Sequence, residues 1–330
     1  ALRQPLQSGT AARVFTGAQV PPGADAIVMQ EQCEDVSDGG TGLGRVRIRT
    51  RPEVGEWIRR RGEDVMHGAV VLRAGTRLNA QALGLAASVG AGQLQVRRQP
   101  RVATFSTGDE LAMPGEPLKP GAIYNSNRFT LRGLLHAAGC AVIDLGIVAD
   151  RLDATRDALR QAAEAADVVL TSGGVSVGEE DHLKPAVQAE GRLDLWQVAI
   201  KPGKPLAFGI VRRAGGGEAL FVGLPGNPVS AALTFMVAVM PLLRTLAGET
   251  NVTPRSINLV AGFDWLRPDR RREFLRVRHG DDGRLLLFAN QSSGVLTSMV
   301  WADGVVDNPP GQPIRAGDAV RFLPFGALMP

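Results

Sequence analysis

Apolar and polar residues follow two alternating periods through the middle of this 330-residue chain. Between residues 100 and 248, short apolar runs of strand length alternate with longer stretches whose apolar residues recur at helical spacing. Such alternation is typical of βαβ units, so we predict an α/β domain over 100–248 with a mostly parallel, doubly wound sheet. Its predicted strands are 102–106, 141–145, 167–171, about 194–199, 205–211 and 219–222, the last two joined as a hairpin, and its predicted helices are 128–138, 153–166, 183–190 and 227–246.

The regions on both sides of this domain have patterns that favour β-structure. Residues 1–62 contain short strand candidates, residues 63–99 hold small elements rich in glycine and alanine, and residues 249–330 return to strand candidates. The sequence therefore predicts an α/β plus β architecture, in which a β-rich domain precedes the α/β domain and a C-terminal β-barrel-like domain follows it. The candidates are strands at 12–15, 26–29, 45–49, 285–288 and 319–322, a hairpin at 39–44 and a short helix at 79–89.

Composition and charge narrow the class of protein. A hydrophobic content of 44% and a charged content of 21% are those of a soluble globular chain, and the length suggests two to three domains. The net charge of +4 is small for this size, and a single tyrosine leaves no aromatic platform for stacking bases. We interpret the arginine runs 59–61 and 270–272 as solvated surface and expect no nucleic-acid partner.

Cysteine usage and the longest apolar run bear on the compartment. Cys33 and Cys140 are too far apart in sequence to form a metal knuckle or a disulfide framework, which fits a reducing cytoplasm. The apolar run 229–243 is shorter than the roughly 20 residues that a membrane-spanning helix needs. We therefore predict a buried core helix there, no membrane partner and a cytoplasmic location.

Two of the four lysines of this chain, against 33 arginines, lie in Lys201-Pro202-Gly203-Lys204-Pro205. A lysine is a compact, strongly hydrated point charge that suits a phosphate or another oxyanion. The prolines stiffen the backbone, and the glycine lets it come close to a ligand. Taken alone, the segment is equally compatible with a basic surface turn before a strand.

Three unusual turns follow predicted strands, where doubly wound sheets bind their ligands. Residues 105–110 end in two carboxylates, residues 171–181 combine glycines, hydroxyls and an acidic cluster, and residues 223–230 form a proline-rich helix start. Successive backbone N–H groups suit a phosphate, and neighbouring carboxylates suit Mg²⁺. Each turn alone is also compatible with a solvated cap or a simple helix start. Together they favour a phosphate-bearing ligand with a divalent cation.

Four segments in this order make the chain resemble a known family. They are Phe-Ser-Thr-Gly-Asp-Glu-Leu at 105–111, Ser-Gly-Gly-Val-Ser-Val-Gly-Glu-Glu-Asp at 172–181, Lys-Pro-Gly-Lys-Pro at 201–205 and Gly-Leu-Pro-Gly-Asn-Pro-Val-Ser at 223–230. The chain is similar in them to the molybdopterin molybdenumtransferase (MoeA) family, to which the gephyrin E domain also belongs. Residues 15–18, 22–26 and 60–64 look like the second domain of that family. The resemblance thus implies a second domain at 1–62, a remnant of the elongated N-terminal domain at 63–99, a molybdopterin-binding type α/β domain at 100–248 and the C-terminal domain at 249–330.

The resemblance implies an enzyme of molybdenum-cofactor biosynthesis. Its substrates would be adenylylated molybdopterin and molybdate, and Mg²⁺ would be required to cleave the phosphoanhydride between AMP and the pterin. The family further implies a homodimer and a possible partnership with the molybdopterin adenylyltransferase. Two alternatives stay open: the adenylyltransferase reaction itself, and a non-catalytic scaffold or binding module of the gephyrin E type.

The same resemblance assigns candidate site residues. The catalytic candidates are Asp64, Glu110, Asp150, Asp181 and Lys201, of which Glu110, Asp150 and Asp181 are also the candidate Mg²⁺ ligands. The substrate-binding candidates are Thr16, Ser172, Gly173, Gly174, Ser176, Lys204, Pro225, Pro228 and Ser293. The family also has an N-terminal Ser-Ala-Met-Asp-Gly-Tyr-Ala-like motif that this sequence does not contain. We therefore expect that a segment carrying one site aspartate is missing here.

Overall fold

A computed structural model describes residues 4–39, 44–175 and 182–329, with the backbone alone at Trp196. The chain separates into two compact units, Ala1–Arg73 and Ala74–Pro330. The predicted boundaries at residues 62, 99 and 248 divide the chain more finely than these units do.

The first unit consists mainly of turns around one small ladder. Strand β1 (Cys33–Asp35) pairs antiparallel with β2 (Val46–Ile48), which confirms the strand predicted at 45–49. The strands predicted at 12–15 and 26–29 are wrong, because these segments form no ladder. Single backbone bonds hold this part of the chain instead, such as that from Ile27 N–H to the Glu56 carbonyl at 3.0 Å. Part of the predicted hairpin, residues 40–43, lies outside the described residues.

Trp57 occupies a turn position that suits glycine or asparagine. The N–H of Ile58 donates to the Gly55 carbonyl at 3.2 Å, so Trp57 is the third residue of a four-residue turn. Its φ angle is 58°, in the left-handed region, where a side chain costs about 1–2 kcal/mol. Because the tryptophan is 60% exposed, its burial offsets little of that cost.

We expect the substitution Trp57→Asn to raise the free energy of unfolding of the first unit by about 1 kcal/mol, because asparagine tolerates the left-handed region. Urea unfolding followed by circular dichroism and amide exchange of residues 4–39 and 44–73 would measure the change. Trp57→Phe is the matched control, since it keeps an aromatic ring in the strained position and should bring no gain. A loss of stability in Trp57→Asn would show instead that the ring makes contacts that matter.

The second unit contains the α/β domain and a C-terminal barrel. Every helix predicted in it is present within one or two residues, and its elements follow in chain order. They are α1 (Ala80–Ser88), β3 (Arg101–Thr107), β4 (Leu111–Ala112), β5 (Ile123–Tyr124), α2 (Ser126–Ala137), β6 (Ala141–Val148), α3 (Leu152–Ala165), β7 (Val168–Ser172), α4 (Leu183–Glu190), β8 (Gly191–Gln197), β9 (Ile200–Lys201), β10 (Pro205–Arg212), β11 (Glu218–Leu224), α5 (Pro228–Thr234), α6 (Met240–Leu246), β12 (Ile257–Val260), β13 (Arg272–His279), β14 (Leu285–Leu287), α7 (Thr297–Trp301), β15 (Gly304–Asn308), β16 (Ala319–Pro324) and α8 (Phe325–Leu328).

The α/β sheet has the strand order β6-β3-β7-β11-β10-β8. Strand β3 runs parallel to β6 and β7, and β7 runs parallel to β11, which confirms the predicted mostly parallel core of the sheet. Of these strands, β10 alone runs in the opposite direction and is antiparallel to both of its neighbours, β11 and β8. The tight turn 213–217 returns the chain directly from β10 to β11, which confirms the hairpin predicted there. Residues Ser106, Ser172 and Leu224 are in register, so the carboxyl ends of β3, β7 and β11 meet at one edge.

A long apolar helical segment packs on this sheet. It runs from Pro228 to Leu246 through α5, a π-helical turn at Phe235–Val239 and α6. Its mean hydropathy of 1.8 and its 19 residues meet the length and composition of a membrane span, and 61% of it is buried in the structure. Val229, Leu233 and Phe235 lie in the main apolar core, so the structure uses this segment as the buried core helix predicted from the sequence.

The C-terminal part forms a barrel-like sheet with the strand order β12-β16-β15-β13-β14. A bridge between Ala261 and Leu285 links its first and last strands, which agrees with the predicted β-barrel-like domain. Leu275, Val277 and Phe322 fill its core. Strand β9, which belongs to the Lys-Pro-Gly-Lys-Pro segment of the α/β domain, pairs parallel with β13.

Asp167 ties the beginning of β7 to the beginning of β3. Its carboxylate accepts hydrogen bonds from the Arg98 guanidinium and from both the backbone N–H and the side chain of Arg101. Arg98 first, and Arg101 after it, hold the pKa of Asp167 well below its usual range. The ionised form of this carboxylate therefore stabilises the fold.

We expect Asp167→Asn to lower the free energy of unfolding by about 1–3 kcal/mol at neutral pH, a range limited by the exposure of both arginines. Since the folded pKa is depressed, this contribution is complete above the unfolded value of 3.8 and is lost as the pH falls through the folded pKa. The gap between wild type and variant should therefore begin to narrow as the pH falls below that unfolded value, which urea unfolding from pH 7 to pH 2 would measure. Asp157→Asn, which breaks a surface pair with Arg160, is the control and should change stability by less than about 0.5 kcal/mol.

Candidate functional site

The turns after β7 and β11 pack closely at the shared edge of the sheet. The N–H of Gly173 donates to the Leu224 carbonyl at 3.1 Å, which fastens one turn to the other. Gly173 has a φ of 89°, and a Cβ atom there would lie 2.9 Å from the Thr107 carbonyl. Only glycine fits this place, and Gly174 is also left-handed, with a φ of 63°. The Ser172 hydroxyl is buried 3.4 Å from that of Ser106, so it lies inside the edge of the sheet.

The proline-rich turn before α5 meets two other segments. The Asn127 side chain, in the first turn of α2, donates to the Gly226 carbonyl at 2.8 Å. On the other side, the N–H of Val229 donates to the Ser293 carbonyl at 3.0 Å. The candidates Pro225, Pro228 and Ser293 are therefore neighbours. Among the described residues, the buried amide oxygen of Asn127 has no hydrogen-bond partner.

The candidate carboxylates follow β3 and β6, which are neighbouring parallel strands. The Glu110 carboxylate folds back over Gly108, and its Oε2 would lie 2.5 Å from a Cβ atom at that glycine. Asp109 accepts a hydrogen bond from the Asp150 N–H at 3.3 Å, which joins the two loops. The structure thus brings Glu110 and Asp150 to the same edge. The candidates Asp181 and Ser176 lie outside the described residues.

Lys201 is held between two carboxylates of the C-terminal part. Its Nζ lies 3.3 Å from Glu273 Oε1 and 3.4 Å from Asp269 Oδ2. Glu273 is 1% exposed and also accepts a hydrogen bond from the Trp265 indole at 2.8 Å. The bond between Lys201 and Pro202 is a cis peptide. Lys201 is therefore a fixed cation at the junction of the α/β sheet and the barrel.

A cleft of about 650 Å³ lies beside this segment. Lys204, Arg270 and Arg271 bring three positive charges to it, against the single carboxylate of Asp269. Arg271 forms a two-pronged ion pair with Asp269, which holds the pKa of that carboxyl well below its usual range. A concave surface with an excess of positive charge attracts anions. The other lining residues are Gln197, Val198 and Ala199.

The remaining two candidates, Thr16 and Asp64, belong to the first unit. Thr16 is exposed in a turn closed by a bond from Ala18 N–H to the Phe15 carbonyl at 2.9 Å. Asp64 is exposed directly after a turn in which Glu63 accepts a hydrogen bond from the Arg60 N–H at 2.8 Å.

Several residues of the site were missed by the sequence analysis. The interpretation of 270–272 as solvated surface is incomplete, because Arg270 and Arg271 line the cleft and Arg272 is paired with Asp307. Asp269 and Glu273, the partners of Lys201, lie in no sequence motif that marks them as site residues. Their position beside an arginine run was the one available hint. Asp109 and Asn127 lie within or close to recognised segments, but nothing in the sequence separated them from ordinary capping residues.

Comparison with protein families divides the chain into three matching regions. Residues 1–90 match the MoeA N-terminal region, described as domains I and II. Residues 103–245 match a probable molybdopterin binding domain, and residues 258–325 match the MoeA C-terminal region, described as domain IV. Together these regions cover most of the chain.

Individual relatives and a solved structure agree with this division. The molybdopterin molybdenumtransferase of Haemophilus influenzae is 38% identical over 98% of this chain and 79% of its own length. The enzyme of the same name in Bacillus subtilis is 34% identical over 95% of this chain and 72% of its own length. The crystal structure of a molybdopterin biosynthesis MoeA protein from Pyrococcus horikoshii superposes with a TM-score of 0.79 at 26% identity, over 98% of this chain and 77% of that one. On this basis the chain belongs to the molybdopterin molybdenumtransferase (MoeA) family.

Proposed function

We propose that this chain inserts molybdate into adenylylated molybdopterin and cleaves the phosphoanhydride that joins AMP to the pterin. Membership of the family confirms the predicted enzyme class and its place in molybdenum-cofactor biosynthesis. The observation that supports the proposed reaction is that two charged surfaces, one acidic and one basic, occur in the same unit. Carboxylates meet at one edge of the sheet, and a cleft with an excess of positive charge lies beside the lysine segment. A polyanionic substrate and a divalent cation need these two kinds of surface.

The cleft is the proposed place for the oxyanions. Lys204 and Arg270 supply positive charge, and Arg271 presents a planar fork next to Asp269. Lys201 is held rigid by Asp269 and Glu273, so its charge needs no rearrangement when an anion arrives. Fixed cations that face a developing negative charge are among the strongest means of stabilising a transition state. We infer that these residues hold molybdate or the phosphate oxygens in place.

The carboxylates Glu110 and Asp150 are the proposed Mg²⁺ ligands, together with Asp181. Among the described residues, no group of three or more metal-ligating side chains is close enough to form a site by itself. Mg²⁺ completes its octahedral shell with phosphate oxygens and water, so the protein need not supply every ligand. When bound, the ion would neutralise charge on the phosphate oxygens of the leaving AMP. Asp109 would keep the two loops together through its bond to the Asp150 backbone.

The assembly and location of the protein belong to the same proposal. Leu83 and Val89, on and just after α1, are 51% and 47% exposed, and Val96 is 67% exposed, so apolar side chains near α1 are available to a second copy. This supports a homodimer. A partnership with the adenylyltransferase would pass the adenylylated intermediate directly from one enzyme to the next. We further propose a cytoplasmic location, on the strength of two unpaired cysteines.

Release of AMP from adenylylated molybdopterin tests the function directly. The purified protein is supplied with this substrate and Mg²⁺, with and without molybdate. Release that depends on molybdate supports the transferase, whereas consumption of ATP with molybdopterin in the absence of molybdate supports the adenylyltransferase. Tight binding of the substrate without any release would support a binding module. Binding of a membrane-receptor peptide would identify that module as a scaffold.

A further inference from the structure

Arg276 is a buried cation in the middle of strand β13. It is 1% exposed and is the largest side chain that the structure buries completely. Among the described residues, no carboxylate forms an ion pair with it, and burial lowers its pKa to about 10. The side chain is therefore still charged at neutral pH. A buried charge without a counter-charge is costly, so the neighbourhood of Arg276 needs an explanation beyond packing.

Most partners of Arg276 lie in the loop that connects β14 to α7, and one more, Ser298, is the second residue of α7. Its Nε donates to the Ser298 hydroxyl at 3.1 Å, and its Nη2 donates to the Ser292 carbonyl at 3.2 Å. Gln291 reinforces the same contact, because its side chain accepts from the Arg276 N–H at 2.9 Å and donates to the Arg276 carbonyl at 3.1 Å. The loop therefore wraps around the guanidinium. Weaker contacts at 3.5 Å reach the carbonyls of Asn290 and Phe274.

The same loop docks on the α/β domain. Directly after Ser292, the Ser293 carbonyl accepts the N–H of Val229, which is the second residue of α5. That N–H has no acceptor within its own helix, because the first turn of a helix leaves its donors unfilled. Phe274 lies two residues from Arg276 on the same face of β13 and packs in the main core with Leu233. Arg276 thus lies at the junction of the barrel and the α/β domain.

We propose that Arg276 is a positioning residue that holds the loop 290–293 so that Ser293 stays docked on the start of α5. This inference rests on the proposed function, in which Ser293 and the adjoining Pro225–Pro228 turn form part of the substrate wall. Arginine suits the task because its planar group presents several donors in fixed directions and can satisfy two or three carbonyls of one loop at once. A lysine of the same charge cannot reproduce that geometry.

Amide exchange of Val229 tests the proposal without any substrate. In Arg276→Lys, which keeps the charge and loses the fork, the Val229 amide should exchange at least about tenfold faster. The amide of Val222, in the centre of the α/β sheet, should keep its rate in the same sample. Arg278→Lys is the matched control, since that side chain lies over the ring of Trp301 and not under the loop. An unchanged Val229 rate would overturn the proposal, and so would an equal acceleration of both amides, which reports only a destabilised fold.

Kinetics supply the second readout. Arg276→Lys should lower kcat for molybdate-dependent AMP release by about tenfold, in the range seen when residues that orient a site are lost. Ser298→Ala removes a single acceptor and should give a smaller change in the same direction, which keeps the test open if the arginine variant does not fold. Wild-type kinetics in Arg276→Lys would contradict the proposal. If wild-type protein releases no AMP at all, the proposed function fails, while the Val229 exchange rate still decides whether Arg276 positions the loop.

Discussion

The substitution Lys201→Ala is expected to lower molybdate-dependent AMP release by about 10²-fold or more and to destabilise the fold at the same time. The catalytic loss is expected because the proposed function assigns Lys201 as a fixed cation that stabilises the oxyanions. The loss of stability follows from Glu273, which is 1% exposed and would lose its cationic partner. We expect the free energy of unfolding to fall by about 1–3 kcal/mol, because the Trp265 indole still donates to this carboxylate. Steady-state kinetics and urea unfolding measure the two effects separately.

Two lysines of the same chain separate catalysis from packing in this experiment. Lys204→Ala removes a cation of the cleft but leaves the Glu273 carboxylate paired, so it should reduce turnover with a smaller change in stability. Lys119→Ala, at an exposed position between β4 and β5, should change neither quantity. If turnover of Lys201→Ala stays within about threefold of wild type, Lys201 joins the two domains without taking part in the reaction.

The second large effect is expected for Glu110→Gln. Losing one of the proposed Mg²⁺ ligands should reduce AMP release by about 10²-fold and raise the Mg²⁺ concentration for half-maximal activity by about tenfold. A titration of activity with Mg²⁺ at saturating substrate measures both changes. Unchanged Mg²⁺ dependence would remove Glu110 from the metal site.

Two variants nearby make this test sharper. Gly108→Ala removes no carboxylate from the sequence, but it puts a methyl group 2.5 Å from the Glu110 Oε2. It should therefore displace the Glu110 side chain and imitate Glu110→Gln. The φ of Gly108 is 141°, which also disfavours alanine there. Asp153→Asn removes an exposed carboxylate at the start of α3 and should leave the Mg²⁺ dependence unchanged.

The period of apolar residues was sufficient to predict the α/β domain, since its helices and buried strands are long and regular. The strands predicted from this period at 12–15 and 26–29 are absent, because a short apolar run forms a strand only when another strand can pair with it. Periodicity alone does not give the direction of β10, since a buried strand has the same pattern in either direction. The hairpin predicted between 205–211 and 219–222 gave that direction, and the antiparallel pairing of β10 with β11 confirms it. The direction depends on the short turn 213–217.

The candidate site was predictable where its residues cluster in the sequence and unpredictable where the fold brings distant residues together. Glu110, Ser172 and Pro225 each follow a strand that is predicted from the sequence alone. Lys201 and Glu273 are 72 residues apart, and only the pairing of β9 with β13 makes them neighbours. The role of Arg276 could not be predicted for a related reason, because the sequence does not show which arginines are buried.

The pairing of β9 with β13 has a consequence for any attempt to exchange parts between relatives. A two-residue strand from the α/β domain completes the edge of β13, and Phe274 of β13 returns the contact by packing in the α/β core. A hybrid protein that takes residues 249–330 from another species therefore receives β13 without the β9 segment that pairs with it. Such a graft should succeed only when the donor also supplies the segment 200–205. The structural unit that evolution could exchange therefore includes the segment 200–205, although this segment lies within the α/β domain in the sequence.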